Sequence, residues 1–415
     1  MRIVEGGFRV AEGGFRVAVV GGGPAGFMAA LAAAEAGSGS ELTVFDSGIP
    51  LATVLRTGGG RCNLTNASHG IRELAGCYPR GGKFLISAFS RFGPTETMGW
   101  FRSRGLPLVE EAEGRVFPRS DRAEDVRRLL ETEARRAGIR VRARAAVDLV
   151  TVAGGVFSLT TRRGSDSFDR LVIATGGRSG HGLAQSLGHS ITVLAPSLTA
   201  LAAQESWAGK LAGLTLRGAG VAWHNEGEGV TREEGDLLFT HRGISGPLAF
   251  RVSSRCAFMQ ISRASPLRLS LTAFPGTHGA ELEARLLALL AARPRQHVTS
   301  TVSTLIPRAL ADVLVRLAGL STDLPAAQLS REGRKRLAVL LEGLPLTIVG
   351  REKGTEMVTA GGVRLEEIDP RTMGSRVVPG LFFCGEVLDI DGFTGGYNLQ
   401  AAWSTGRIAG LAAGR

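Results

Sequence analysis

Tyrosine occurs twice and lysine four times in 415 residues, and no two of the four cysteines form a Cys-x-x-Cys pair. The missing pair argues against a zinc ribbon and a dithiol redox centre. At this length and spacing a disulfide framework is not expected either, so the expected setting is reducing and cytoplasmic. There is no His-x-x-x-His and no carboxylate cluster to hold a metal, and no Gly-x-Ser-x-Gly elbow for hydrolysis. The net charge of +11 comes almost wholly from arginine. No tight basic run with interleaved aromatics accompanies it, and Arg331 to Arg336 reads as a solvated helix face, so a nucleic-acid partner is not expected. Uncharged stretches are also scarce. Residues 17–37 carry only Glu35, but Gly21, Gly22, Gly23, Pro24 and Gly26 break them into strand, turn and helix, and no membrane span is expected.

Glycine, by contrast, is plentiful at 58 residues, with no Gly-X-Y period. It concentrates in two segments at opposite ends of the chain. FRVAVV (15–20) reads as a strand buried on both faces, and Pro24 to Ala36 as an alanine-rich helix. Gly21-x-Gly23-x-x-Gly26 lies between them. Gly21 permits the tight turn, Gly23 lets backbone approach a pyrophosphate, and Gly26 lets helix and strand pack closely. Pro24 and Ala25 open the helix, whose N-terminus offers free N–H groups and the positive end of its dipole. Asp46 follows Gly26 by 20 residues at the end of the second strand, LTVFD, and is placed to accept from ribose hydroxyls.

Near the other end, Gly385 and Glu386 follow the strand LFFC, where an acid can bind a ribityl chain. Gly395, Gly396, Tyr397, Asn398 and Leu399 then open a helix whose N-terminus would stabilise negative charge on a reduced flavin. One ligand that needs both ends of the chain is long, and FAD fits. The turn at Thr175, Gly176 and Gly177 is expected to pass close to the dinucleotide, and Val147 stands where adenine-contacting residues often sit. In the run 57–66, Gly58, Gly59 and Gly60 let backbone approach a ligand, with Arg61 and Asn63 as donors and Cys62 beside them. A structural thiol is the expected role of Cys62, since no resolving partner is visible. No second Gly-x-Gly-x-x-Gly follows a strand, which argues against a dedicated nicotinamide domain but leaves NAD(P)H as a transient electron donor.

Between the two ends the reading is coarser. Residues 83–105 and 121–138 are expected to be amphipathic helices, the second capped by Ser120 or Asp121. Strands are expected over 139–150, 155–161 and 168–177. Short strands follow from about 190, Leu/Ala/Arg-rich helices from 279 to 343, and a strand at 344–350. The expected fold class is α/β: a discontinuous Rossmann-type domain (15–190 and 352–415), a β-barrel-like insert (191–278 and 344–351) and a small helical insert (279–343). Residues 1–14, in which EGGFRVA at 5–11 repeats at 12–18, form an extension without assigned function.

The chain resembles the BaiN/YhiN-type bacterial flavoproteins, a family that includes aminoacetone oxidase. The resemblance is carried by TGGGRCNLTN (57–66), GRVFPRSDRAEDV (114–126), LLFTHRGISGP (237–247), EMVTAGGVRLEEIDPRTMGS (356–375) and GLFFCGEVLDIDGFTGGYNLQAAWSTG (380–406). It covers nearly the whole chain from Phe15. It implies FAD, the three-part architecture above, and redox chemistry on a small-molecule substrate that differs between members. The chain departs from the family at residues 49–53 and in the short segment 178–190, so one member's specificity does not transfer. His181, His189 and His241 are undecided between a base and structural roles, with the structural role favoured for His241. Two rival readings remain: an RNA-modifying flavoenzyme, motivated by the charge, and a non-catalytic flavin-binding electron carrier or sensor.

Overall fold

The computed structural model describes residues 3–4, 8–9, 14–37, 39–67, 70–177, 179–225 and 229–415. The N-terminal extension thus lies largely outside the described residues; within it, Ile3–Val4 pairs antiparallel with Phe8–Arg9. The chain forms two compact units, one from Met1–Pro196 with Val358–Arg415 and one from Ser197–Met357.

The first unit is built on a five-stranded sheet. Its order is Leu381–Phe383, Arg170–Ile173, Arg16–Val20, Glu41–Phe45, Arg140–Arg142, and every pair is parallel. Val17, Ala18 and Val19 are fully buried, as the unbroken apolar run requires of a central strand covered on both faces. This is the expected Rossmann-type arrangement, completed by a strand from the far end of the chain.

Pro24–Ala36 is buried from Ala25 through Ala33, so it is enclosed rather than amphipathic. One of its neighbours is the last helix, Tyr397–Ala413. A Cβ added to Gly406 would meet the carbonyl oxygen of Ala25 at 2.4 Å, one on Gly410 that of Ala29 at 2.0 Å, and one on Gly414 that of Ala33 at 2.5 Å. Glycines four residues apart therefore let two backbones touch over two turns. The opposed numbers rise together, so the helices run parallel. Their N-termini are offset along that direction by eight residues, or roughly 12 Å.

Several expected elements divide. The single helix over 83–105 is two, Gly82–Phe89 and Pro94–Ser103, because Pro94 cannot continue the first but suits the opening turn of the second. The strand over 139–150 becomes Arg140–Arg142 and Val147–Ala153, separated by a turn in which Arg144 adopts a φ of 51°. Ala123–Arg136 is flanked by Arg122 and has no side-chain cap, so neither Ser120 nor Asp121 caps it.

The second unit holds a closed six-stranded barrel, ordered Leu201–Ala203, Gly243–Ser245, Gly229–Thr240, Thr215–Asn225, Leu267–Thr272, Leu344–Arg351. The helices Gly279–Ala292, Val298–Val302, Arg308–Leu317 and Arg331–Glu342 fall in the expected helical stretch. Leu286, Leu314 and Leu337 on them share one apolar core with Leu269 and Leu346 of the barrel. No helix among the described residues is long and apolar enough to cross a membrane.

Candidate functional site

Three loops of the first unit meet around the C-terminal ends of the central strands, the place where open α/β sheets bind ligands. The first is the turn 21–26. Gly21 has a φ of 110°, and its Cβ would meet the Ala174 carbonyl oxygen at 2.2 Å. A Cβ on Gly26 would meet the Gly21 carbonyl oxygen at 1.9 Å. These two glycines serve the chain's own packing. At Gly23 the nearest atom to an added Cβ is Thr53 Oγ1 at 4.0 Å, so this position borders open space. Gly23 precedes a helix with Pro24 in its first turn, no capping side chain and no acidic residue within that turn. That end is open to an anion.

Asp46 does not simply wait for a ribose. Its Oδ2 accepts from the Gly22 N–H at 2.8 Å and its Oδ1 from the Gly48 N–H at 2.7 Å. The carboxylate pins the glycine turn to the end of the second strand, and only its remaining lone pairs could serve a sugar.

The second loop is 57–66. Thr57 to Gly60 is a distorted 3₁₀ turn in which Gly58, Gly59 and Gly60 have φ of 56°, 67° and 88°. A Cβ on Gly59 would meet nothing within 4 Å, whereas one on Gly58 would meet the Asn63 nitrogen at 2.7 Å. Arg61 is not a free donor. Its Nε donates to Asp121 and its Nη1 to Glu111, Nη2 donates to both, and its guanidinium lies 4.0 Å from the Phe117 ring centroid. The hydrogen bonds to Glu111 and then Asp121 raise its pKa further, and Arg61 in turn lowers that of Glu111. Arg61 thus braces the loop, and the part of it left to face a ligand is its main chain.

Cys62 is fully buried, with its pKa pushed up to about 12 by that burial. It is a core thiol rather than a redox centre. Cys384 is also fully buried, with its pKa raised by burial, and that of Cys256 is pushed up to about 11 for the same reason. Native protein should therefore react with a thiol reagent at Cys77, the one cysteine that is not buried, and at all four only when unfolded. Counting labelled thiols by mass checks this; fast native labelling of Cys62 would contradict it.

Asn63 and Asn66 fasten this loop to the third. With its amide oriented to satisfy both neighbours, Asn63 donates to Thr65 O at 3.1 Å and accepts from the Gly396 N–H at 3.2 Å. Asn66 Nδ2 donates to Gly395 O at 3.1 Å. Gly396, φ 95°, sits so close that a Cβ would meet Thr65 O at 2.4 Å. It opens the last helix without a side-chain cap or an acidic residue in the first turn. Asn398 Oδ1 accepts from Gly392 N–H and its Nδ2 donates to Gly392 O, both at 2.8 Å, holding the preceding turn. Tyr78 donates its hydroxyl to Tyr397 O at 2.6 Å. Leu399 is buried.

The remaining expected residues are distributed as follows. Gly385, φ 75°, packs on Ala25 and donates its N–H to Thr405 Oγ1 at 2.9 Å. Glu386 Oε1 accepts from Thr359 N–H at 2.9 Å, beside Gly177, whose added Cβ would meet it at 2.4 Å. Gly176, φ 77°, borders open space, and Thr175 Oγ1 is buried with no hydrogen-bond partner among the described residues. Val147 begins the strand Val147–Ala153 and packs half-buried on the core. His241 is exposed in the second unit. His181 and His189 are buried in the first, and Arg178 lies outside the described residues.

His189 bridges Glu367 Oε2 at 2.9 Å and Ser375 Oγ at 2.8 Å. Its role is structural. Burial lowers its pKa, and the hydrogen bond and charge of Glu367 oppose this only in part. The folded state therefore holds the ring neutral, while the unfolded chain takes up a proton below about pH 6.5. Stability should be whole above that value and fall as pH drops toward the folded pKa, by up to about 1.4 kcal/mol per pH unit. Urea unfolding between pH 7 and 5 should show a shallower decline in His189→Gln; an unchanged slope would mean that His189 ionises freely when folded.

Two features were invisible to motif reading. The glycines 406, 410 and 414 match the alanines 25, 29 and 33, a four-residue spacing present in both stretches. The asparagine bridges join residues more than 300 positions apart, for which no local signal exists.

A ligand reaching from the first turn to the last helix meets residues that fit FAD. There are two uncapped helix N-termini, open backbone at Gly23, Gly59 and Gly176, and an orphaned buried hydroxyl at Thr175. Comparison with known proteins agrees with the architecture. Residues 15–412 match the family model described as the HI0933-like protein Rossmann domain. The chain is 30% identical over 407 residues to the 3-dehydro-bile acid delta(4,6)-reductase of Clostridium scindens, covering 95% of this chain and 98% of the relative. It is also 30% identical over 399 residues to the ribosomal RNA dihydrouridine synthase of Escherichia coli, covering 93% and 95%. Among solved structures, the 3-ketosteroid-delta4-(5alpha)-dehydrogenase of Rhodococcus jostii shares the fold, with a TM-score of 0.51, 15% identity and 97% of each chain covered. From the glycine turn to the last helix, the chain belongs to the HI0933-like Rossmann family.

Proposed function

We propose that this chain is an FAD-dependent oxidoreductase that reduces a carbon–carbon double bond conjugated to a carbonyl in a small organic substrate. The observation that carries the reading is the parallel, glycine-faced contact of the first and last helices, which sets two uncapped N-termini roughly 12 Å apart along one direction. When bound, the flavin supplies a two-electron carrier that gives up hydride at N5. Gly23 and the first helix would hold the diphosphate. The opening turn of the last helix would lie toward the flavin and favour negative charge on it. Asn63 and Asn66 hold that turn in place before any charge develops, which is how preorganised dipoles act. No side chain is assigned as acid or base.

The unsaturated substrate is supported by the relatives. One is named a delta(4,6)-reductase and another a dihydrouridine synthase, and saturation of a ring is the chemistry these names share. The test is the anaerobic visible spectrum of purified protein. A flavin spectrum that bleaches with NADH or NADPH and returns on adding a conjugated enone supports the reading. Absence of flavin, even after reconstitution with FAD, would sink it. A second reading, an RNA base as the unsaturated substrate, is favoured by the net charge of +11. It predicts an RNA gel shift at low salt that weakens steeply as salt rises; no shift at low salt would remove it.

A further inference from the structure

The short segment after Gly177 contains a histidine that no role above uses. His181 is 92% buried, at 8% relative exposure, and its Nε2 is sealed from solvent without a hydrogen-bond partner among the described residues. An unpaired imidazole nitrogen in a folded interior is costly, so its persistence points to a partner that arrives later. Its surroundings say where. Gly180, immediately before it, packs so tightly on Thr175 that an added Cβ would meet Thr175 Oγ1 at 2.0 Å. That hydroxyl is likewise buried without a partner among the described residues. Thr175 follows the strand Arg170–Ile173, beside the glycine turn, where a Cβ on Gly21 would meet its nitrogen at 2.8 Å. The other side of the ring meets the backbone of Val387, two residues after Gly385. His181 therefore lies between the turn at Thr175 and the turn at Gly385.

We infer that His181 Nε2 and Thr175 Oγ1 together form a hydrogen-bonding site for the hydroxyl-bearing linker of the dinucleotide, making His181 a positioning residue for the cofactor. The inference rests on the FAD reading above. Burial lowers the pKa of His181, which keeps the ring neutral and leaves one nitrogen to accept and one to donate. A neutral ring suits sugar and ribityl hydroxyls. Leucine at this position would remove the unpaired nitrogen from the empty protein along with the ring's hydrogen bond to the Val387 backbone, two effects that oppose each other. It would also remove the cofactor's hydrogen bond from the loaded protein, so only the loaded state should respond strongly.

The experiment uses the full chain stripped of flavin, with FAD added back and binding followed by flavin fluorescence. His181→Leu should weaken FAD binding about tenfold, the loss of one buried hydrogen bond. His181→Gln, which keeps a polar group at this position, should recover most of that. The empty His181→Leu protein should unfold close to the wild-type temperature. FAD binding in His181→Leu as tight as in wild type would overturn the inference alone. So would a loss of stability in the empty variant with a loss of binding that glutamine does not rescue, since that is the mark of a packing role. Failure of the wild-type chain to bind FAD would overturn the parent reading and this one together.

Discussion

Replacing Arg80 by methionine should lower the unfolding free energy by about 3–5 kcal/mol. Asp391 is completely buried, and Arg80 meets it with two parallel hydrogen bonds, Nε to Oδ1 and Nη2 to Oδ2. Removing the guanidinium leaves a carboxylate in the interior without its fork partner, and the desolvation of that charge is then less well compensated. The melting temperature should fall on the order of 10 °C. The double variant Arg80→Met/Asp391→Leu should regain most of the loss, because an apolar pair needs no compensation. A single variant as stable as wild type would show that Asp391 is held otherwise. The pair also matters to the site. Phe393 N–H donates to Cys77 O at 3.0 Å, and Tyr78 reaches Tyr397 O, so the segment 77–80 carries the approach to the last helix. FAD affinity should fall along with stability.

Gly410→Val is expected to be worse for the cofactor than for the fold. Even one methyl at Gly410 would press within 2.0 Å of the Ala29 carbonyl oxygen, so the helices must part. Overpacking of this kind costs about 1–3 kcal/mol. The displaced last helix also draws its N-terminus away from Asn63 and Asn66, and FAD binding should weaken by more than tenfold, measured by titration of flavin-free protein. Gly99→Ala is the control. Gly99 lies inside Pro94–Ser103 with nothing within 4 Å of an added Cβ, so the substitution should gain up to about 1 kcal/mol from helix propensity. A Gly410→Val protein that binds FAD normally would show that the helix contact does not set the site.

What could be read from residues alone was whatever is local. Gly21, Gly23 and Gly26 declare themselves because strand, turn and helix follow one another within twenty residues. Gly395 and Gly396 do so because a strand precedes them and a helix follows. Side-chain destinations were not legible. Arg61 sits beside three glycines and looks like a ligand donor, but Glu111 and Asp121, 50 and 60 residues away, engage its donors. Asp46 looks like a ribose acceptor and turns out to accept first from its own neighbouring backbone. The break at Pro94 was legible in principle, and amphipathic spacing on both sides of it concealed the break. His181 has no periodicity or motif to mark it; only its burial and its unpaired nitrogen single it out.

The strand Leu381–Phe383 and the last helix come from the final 35 residues, yet the first helix depends on them. On a ribosome, residues 15–196 emerge as an unfinished half, with the buried face of Pro24–Ala36 bare. At common elongation rates, the roughly 220 residues that follow take on the order of 10–40 s to appear. The unit Ser197–Met357 is complete before that interval ends, because both ends of its barrel have by then emerged. The nucleotide-binding half closes only once Leu381–Phe383 and Tyr397–Ala413 have emerged. A nascent chain stalled before Leu381 should therefore hold a protease-resistant middle and a chaperone-dependent beginning, and flavin should enter only after the last helix has emerged.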